Sequence, residues 1–306
     1  MVIGILSFRP RTRHFNYEEK RLEEEGKKRG HDMRLMRAEM FVLSFDGKGE
    51  TGVRLGNKPF PAIDVLIPRV TVLKNIQPKI AMIKHLELMH VPILNGYEAI
   101  LKAKSKLNTL QILSHYSIPV VKTAVVNNVD YLHSAIKYIG QFPIIMKTAF
   151  GSLGEGVALL ETERGAKSTY QLIMDNIEST NTMLLQEYIA ESKGKDIRIF
   201  IVGGKFIAAM ERSASEGDFR SNIGQGGEGS PYEPSKEEIN LAIRATKALD
   251  LEVTGVDIIQ TKHGPAIMEV NANPGFEELE EVSGVNVAEA IIRYSVKFAK
   301  EYVPNW

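Results

Sequence analysis

The stretch that decides the fold is Ile267-Met268-Glu269-Val270-Asn271-Ala272-Asn273-Pro274-Gly275, preceded by Gly255-Val256-Asp257-Ile258-Ile259-Gln260. In an extended strand alternate side chains share a face, so Glu269 and Asn271 reach the same point in space. Thr261-Lys262-His263-Gly264-Pro265 has the composition of a tight turn, which folds Val253–Gln260 back on Ala266–Asn271 as a hairpin. Asp257 then arrives on the neighbouring strand. Two carboxylates and one amide, with no thiol or imidazole, suit a hard cation such as magnesium that takes its remaining ligands from water and phosphate. An ordinary hairpin with solvated acidic residues is the alternative. Asn273-Pro274-Gly275 favours the site, because it forces a turn directly beside the three oxygen donors.

Working outward, the strand–helix–strand opening (Val2–Ser7, Asn16–Arg29, Asp32–Met36) and the apolar run Ile63–Ile67 predict a small, mostly parallel α/β sheet. No Gly-x-Gly-x-x-Gly follows the first strand, which disfavours a dinucleotide fold binding NAD. Arg9-Pro10-Arg11-Thr12-Arg13-His14 stands there instead, either a grip for an acidic ligand or a solvated basic loop. The pattern changes near Leu94-Asn95-Gly96, so three units are expected: 1–95, 96–185 and 186–306. In the second unit Pro143–Lys147 leads into Phe150-Gly151-Ser152-Leu153-Gly154-Glu155-Gly156, a glycine-rich loop between strands whose amides can approach phosphate oxygens. Lys147 and Lys106 supply the point charges that phosphate neutralisation also needs. In the third, strands Met183–Ile189, Asp196–Val202 and Lys205–Glu211 precede the long polar segment Arg212–Pro234, a length that marks function or disorder. Ser235 and Glu238 form a capping box for a helix with a stripe at Ile239, Ala242, Ile243, Thr246 and Leu249, and Asn286–Glu301 closes the chain as a helix.

Composition excludes several classes. Lys plus Arg and Asp plus Glu each total 38 of 306 residues, so no global field attracts nucleic acid or an anionic membrane. With 0 cysteines, disulfides, thiolate metals and a cysteine nucleophile are absent. No stretch is long enough for a signal peptide core or a membrane span, which predicts a soluble, cytoplasmic protein. Self-association is left open.

Glu269-x-Asn271-x-Asn273-Pro274-Gly275 resembles the closing strand of the ATP-grasp ligases. Gln186-Glu187-Tyr188-Ile189, Lys195-Asp196-Ile197-Arg198 and Glu216-Gly217-Asp218-Phe219-Arg220-Ser221-Asn222 narrow the likeness to RimK-type glutamate ligases, over nearly the whole length. The resemblance implies three small α/β domains with ATP between the central and C-terminal sheets. It further implies a carboxylate–amine ligase that joins L-glutamate to the carboxylate of an acidic acceptor, a protein or a coenzyme, through an acylphosphate. Carried over by residue, Lys106 and Lys147 hold phosphates with the loop of Gly151, Ser152, Gly154 and Gly156. Glu187 and Tyr188 border adenine, and Asp196 takes the ribose. Asp257, Glu269 and Asn271 hold two magnesium or manganese ions. Arg220, Ser221 and Asn222 face the transferring phosphate, and Arg212 the acceptor carboxylate; surface pairing of Arg212 with Glu211 is the bland alternative. Where ribosomal-protein-modifying members carry His-Arg before a glycine pair, this chain has Gly224-Gln225-Gly226-Gly227, which leaves the acceptor open. A D-alanine–D-alanine-like peptide ligase and a nonenzymatic ATP-binding module of synapsin type are the competing readings.

Overall fold

Val2–Ser7 (β1) is almost wholly buried because it lies between two parallel neighbours. In this computed structural model, which describes residues 1–48, 51–71, 76–149, 156–176, 182–215 and 227–303, the chain runs as follows. After β1 come Tyr17–Lys28 (α1), Asp32–Arg37 (β2), Phe41–Phe45 (β3), Thr51–Leu55 (β4), Lys58–Pro59 (β5), Val65–Arg69 (β6), Ile76–Leu88 (α2), Tyr97–Lys104 (α3) and Lys106–His115 (α4). Then follow Thr123–Val126 (β7), Leu132–Ile139 (α5), Ile144–Thr148 (β8), Val157–Leu160 (β9), Glu163–Asn176 (α6) and Met183–Glu187 (β10). The last part holds Lys195–Val202 (β11), Lys205–Ser213 (β12), Glu228–Pro231 (β13), Lys236–Ala248 (α7), Val253–Thr261 (β14), Gly264–Asn271 (β15), Glu277–Ser283 (α8) and Val287–Glu301 (α9).

Three sheets carry the architecture: parallel β2-β1-β6, antiparallel β7-β10-β8-β9 and antiparallel β13-β12-β11-β14-β15. A fourth, the meander β3-β4-β5, hangs off the first unit and was not foreseen from sequence. The apolar cores do not follow the sheets one to one. The middle sheet keeps its own, with Met146, Leu160 and Leu185 under α5 and α6. The first and last sheets share theirs: Leu6, Leu66 and Ile83 cluster with Ile199, Ala242 and Val256, and Ile3, Ile67 and Leu22 cluster with Phe200, Phe276 and Ile291.

Local signals explain the elements that position the site. Ser235 accepts from the Glu238 amide and Glu238 returns the bond, so α7 begins where the capping box places it. Its buried face is Leu241, Ala242, Ala245, Thr246 and Leu249; Ile239 and Ile243 lie at the margin, a rotation set by packing on β11 and β14. The unit boundary near residue 95 is tightly bonded. Asn95, 2% exposed, donates to Val253 O (2.7 Å) and Ala272 O (2.8 Å) and accepts from the amides of Glu252 (2.7 Å) and Val253 (3.0 Å).

Candidate active site

The hairpin β14–β15 forms as its turn chemistry requires, with Thr261 opposite Gly264 and Asp257 opposite Glu269. Asp257 is in turn opposite Arg198 on β11, so Arg198, Asp257 and Glu269 form one cross-strand row on one face of the sheet. Asn271 lies on the same face, opposite Gly255, and its amide points at Asp257 Oδ2 (3.4 Å). Gly255 is needed there, since a Cβ at that position would lie 2.9 Å from Pro274 Cβ and 3.6 Å from Arg198 Nε.

Two arginines govern the charge of this face. Arg198 grips Asp257 with both arms, Nε to Oδ1 at 2.8 Å and Nη2 to Oδ2 at 2.9 Å. Arg212, directly across the ladder from Asp196, reaches Asp196 Oδ1 (Nε 2.7 Å, Nη2 2.6 Å) and Asp257 Oδ2 (3.0 Å). All three residues are at most 3% exposed. Arg212 is therefore no surface cation; Glu211, its expected alternative partner, pairs with Lys195 at 2.7 Å. Burial pushes the Asp257 carboxyl up, but the guanidiniums of Arg198 and Arg212 outweigh it and hold the pKa below the ordinary value. Burial likewise opposes the charge on Arg212, and Asp257 and Asp196 more than restore it. Asp196, expected at a ribose, and Arg212, expected at an acceptor carboxylate, are thus engaged with each other in this conformation.

Facing this row is a group of lysines. Lys147, on β8, donates to Gln186 Oε1 at 2.6 Å, and Gln186 in turn donates to Thr123 Oγ1 at 3.0 Å, which fixes the amine from behind. Desolvation lowers the Lys147 pKa to about 8, opposed by Glu269 and Asp196 and assisted by Lys106. Lys104 is lowered for the same leading reason and also feels Glu269 and Lys106. Lys106 opens α4, and its amide donates to Ala149 O next to the glycine-rich loop. A cavity of about 30 Å³ separates the two sheets here, bordered by Lys106, Lys147, Leu184, Gln186, Met268 and Glu269. The seam is closed on one side by Pro119 and Val121, which exchange backbone bonds with Ile267 (2.9 and 3.3 Å).

Other expected residues fall at this seam or outside the described residues. Glu187 ends β10 and Tyr188 follows it, and the Glu187 amide is spent on Lys122 O (2.9 Å). Gly156, at φ 70°, returns the chain into β9 with its carbonyl accepting from Thr148 N. Gly151, Ser152, Gly154, Arg220, Ser221 and Asn222 lie outside the described residues. Arg198, Gln186 and Lys104 were not singled out for the site beforehand. Arg198 and Gln186 stood in quoted motifs, but the partner that gives Arg198 meaning is 59 residues away.

In donor chemistry the face fits a hard divalent ion: two carboxylates and a carboxamide share it, and Lys106 and Lys147 border the same cavity as Glu269. Asp257 would have to exchange arginine nitrogens for the ion. Among the described residues no cluster of three His, Cys, Asp or Glu could hold a metal ion, and this face brings together two such residues, Asp257 and Glu269, with Asn271 as the third donor.

Comparison with known proteins identifies the family. The family pattern described as the RimK-like ATP-grasp domain matches residues 103–295, and that of the RimK PreATP-grasp domain matches residues 1–100. A protein of Azotobacter vinelandii named probable alpha-L-glutamate ligase is 38% identical over 303 residues, 98% of this chain and 97% of its own. Among solved structures, a RimK domain ATP-grasp protein from Sphaerobacter thermophilus superposes with a TM-score of 0.73 at 21% identity, covering 97% of this chain and 100% of its own. D-alanine–D-alanine ligase from Bacillus anthracis, complexed with ATP, gives 0.66 at 17%, covering 98% and 99%. At these identities the likeness shows the fold alone. Identity over the full length, together with both family patterns, is more selective: the chain belongs to the RimK-like ATP-grasp family of ATP-dependent carboxylate–amine ligases.

Proposed function

We propose that this chain joins the amine of L-glutamate to a carboxylate of an acidic acceptor, a protein or coenzyme, by way of an acylphosphate. The observation that carries the reading is the gathering of Lys104, Lys106 and Lys147 around Glu269, opposite the Arg198–Asp257 row. Cation-binding groups would then lie on the last sheet, and phosphate-binding groups across from them on β8 and at the junction of α3 and α4. Three anionic reactants must be brought together, and fixed cations are what make that possible. The acceptor carboxylate attacks the γ-phosphorus and ADP departs; the amine then attacks the acyl carbon, phosphate leaves, and the amine nitrogen loses its proton. Asp257, Glu269 and Asn271 would hold up to two magnesium or manganese ions, which when bound neutralise phosphate charge. Lys106 and Lys147 would bind phosphate oxygens, with Gln186 orienting Lys147. Arg220 and Asn222 would face the γ-phosphate, and Gly151, Ser152 and Gly154 would cover it. Arg212 and Arg198, freed in part as cations enter, would turn a nitrogen toward the acceptor and its phosphorylated form. Asp196 would then be released to the ribose.

The deciding experiment is ADP release across a panel of amino acids and acidic acceptors, with product masses. A mass increase of one or more glutamyl units, requiring both ATP and magnesium, is the expected result. Turnover with alanine alone would replace this reading by the peptide ligase, and nucleotide binding without turnover on any acceptor would replace it by the binding module. Glu269→Ala should lose on the order of a hundredfold or more in turnover without a change in melting temperature.

A further inference from the structure

The six residues Arg9–His14 form a loop at the carboxyl edge of the parallel sheet, where α/β sheets present ligands to the chain reversal between strands. Arg37 holds this loop in shape. Its guanidinium, stacked 4.2 Å over Phe15, donates to three loop carbonyls: Arg9 O (3.2 Å), Pro10 O (3.0 Å) and Arg13 O (2.9 Å). Arg9 adds a bond across the loop to His14 O (3.2 Å). What the scaffold displays is positive: Arg11 and Arg13 are exposed. Among the described residues the ion-pair partner of this group is Glu39, 3.9 Å from Arg11. Four guanidiniums packed into one edge of a chain with no net charge repel one another, an arrangement that an approaching anion relieves.

The loop is also tied to the catalytic hairpin at both ends. Before it, Ser7 pairs with Arg69, which donates to Pro274 O (2.9 Å), while Asn273 donates to Val70 O (3.0 Å). After it, Glu18 in the first turn of α1 accepts from the Phe276 amide (3.3 Å). These contacts fall on the residues that directly follow Asn271. An acidic chain whose reacting carboxylate lies at the metal face would therefore have its neighbouring residues near this edge.

We infer that the Arg9–His14 loop, held rigid by Arg37, is the docking surface for an acidic peptide segment of the acceptor. The inference rests on the proposed glutamate ligase activity for the identity of the anion, and on the placement of the loop for its location. Guanidiniums suit carboxylates better than ammoniums do, yet a flexible acidic chain is captured chiefly by summed charge, so the attraction is salt-sensitive.

The test is fluorescence anisotropy of the full chain with a labelled oligo-L-glutamate of about ten residues, at about 50 mM and about 500 mM salt. Arg11→Ser/Arg13→Ser, which leaves Arg37 and the loop carbonyl bonds in place, should weaken binding by about tenfold at low salt. Arg11→Lys/Arg13→Lys should recover most of that loss, and the three proteins should converge at high salt. Unchanged affinity of the serine variant overturns the inference. So does a single-stranded oligonucleotide of equal length that binds more tightly through the same arginines, because the surface would then read nucleic acid. The same variants keep ADP release with the dipeptide Glu-Glu, since neither arginine touches the reacting groups. Peptide binding that depends on the arginines, in a protein with no ligase turnover, would sink the proposed function and leave this surface standing. Turnover with peptide binding indifferent to the loop would do the reverse.

Discussion

At Lys147 two influences oppose each other: removal from water lowers the pKa from its ordinary 10.5 to about 8, while Glu269 and Asp196 favour the charged form. Between those values the unfolded chain binds more protons than the folded one, so folding stability contributed by this group rises as pH increases from about 8 toward 10. Phosphate oxygens at the amine would favour the ammonium and return its pKa upward. ADP binding at about pH 8.5 should therefore take up a proton, up to about one per nucleotide, seen calorimetrically as a binding enthalpy that changes with the ionisation enthalpy of the buffer. Lys147→Met should abolish that dependence; uptake unchanged in the variant would assign the proton to another group. Individual side chains were legible in the sequence as types with spacing, which is why Asp257, Glu269 and Asn271 could be named together. Their partners were less so. Arg198 and Arg212 acquire their roles only through strand register, which brings Asp257 beside Arg198 and Asp196 beside Arg212.

Among the elements, the β14–β15 hairpin is the most exacting, because the loop Asn273–Gly275 that follows β15 folds back over β14. The approach of Pro274 to Gly255 leaves no room for a methyl group. Gly255→Ala should lower the melting temperature by about 4 °C or more, for a cost of roughly 1–3 kcal/mol, and displace Arg198 or Pro274 from the metal face. A variant that melts normally and retains full turnover would show that the loop yields freely. This hairpin was readable in advance because its turn has strong chemistry and Glu269 and Asn271 stand at strand spacing. The meander β3-β4-β5 was not. Its strands are short and Val42 and Phe45 are half or more exposed, so although Phe41, Leu43 and Val53 pack on the core, so brief an alternation carries little period to detect. The stripe on α7 was assigned a rotation that the sheet beneath it overruled in part, since Leu241 and Ala245 are buried with Ala242 and Thr246 while Ile239 and Ile243 are half-buried.

On the scale of the whole molecule, first and last units are one body in packing terms, and the middle sheet stands apart with its own core. Asn95 is the polar pin of the joined pair. Asn95→Ala leaves two buried carbonyls and two amides short of a partner, at roughly 1–3 kcal/mol for each group that water cannot reach, so the melting temperature should fall by several degrees. A shift within error would mean that the seam carries little of the stability. The middle sheet is joined to the rest through Pro119–Lys122 and the α4 region. The buried Arg198–Asp257–Arg212 ladder, on the last sheet, has a further meaning. The unliganded protein carries its own counterions: with two guanidiniums on Asp257, the acidic face is already neutralised and has little to gain from a bare cation. Chelation should therefore leave the melting temperature of the free protein unchanged, and magnesium alone should raise it little. Magnesium together with ADP should raise it clearly, because only the nucleotide gives the displaced arginines somewhere to go. A large stabilisation by magnesium alone would contradict this. In such a protein the metal is delivered with the nucleotide instead of being stored, and idle molecules do not compete for the divalent ions of their surroundings.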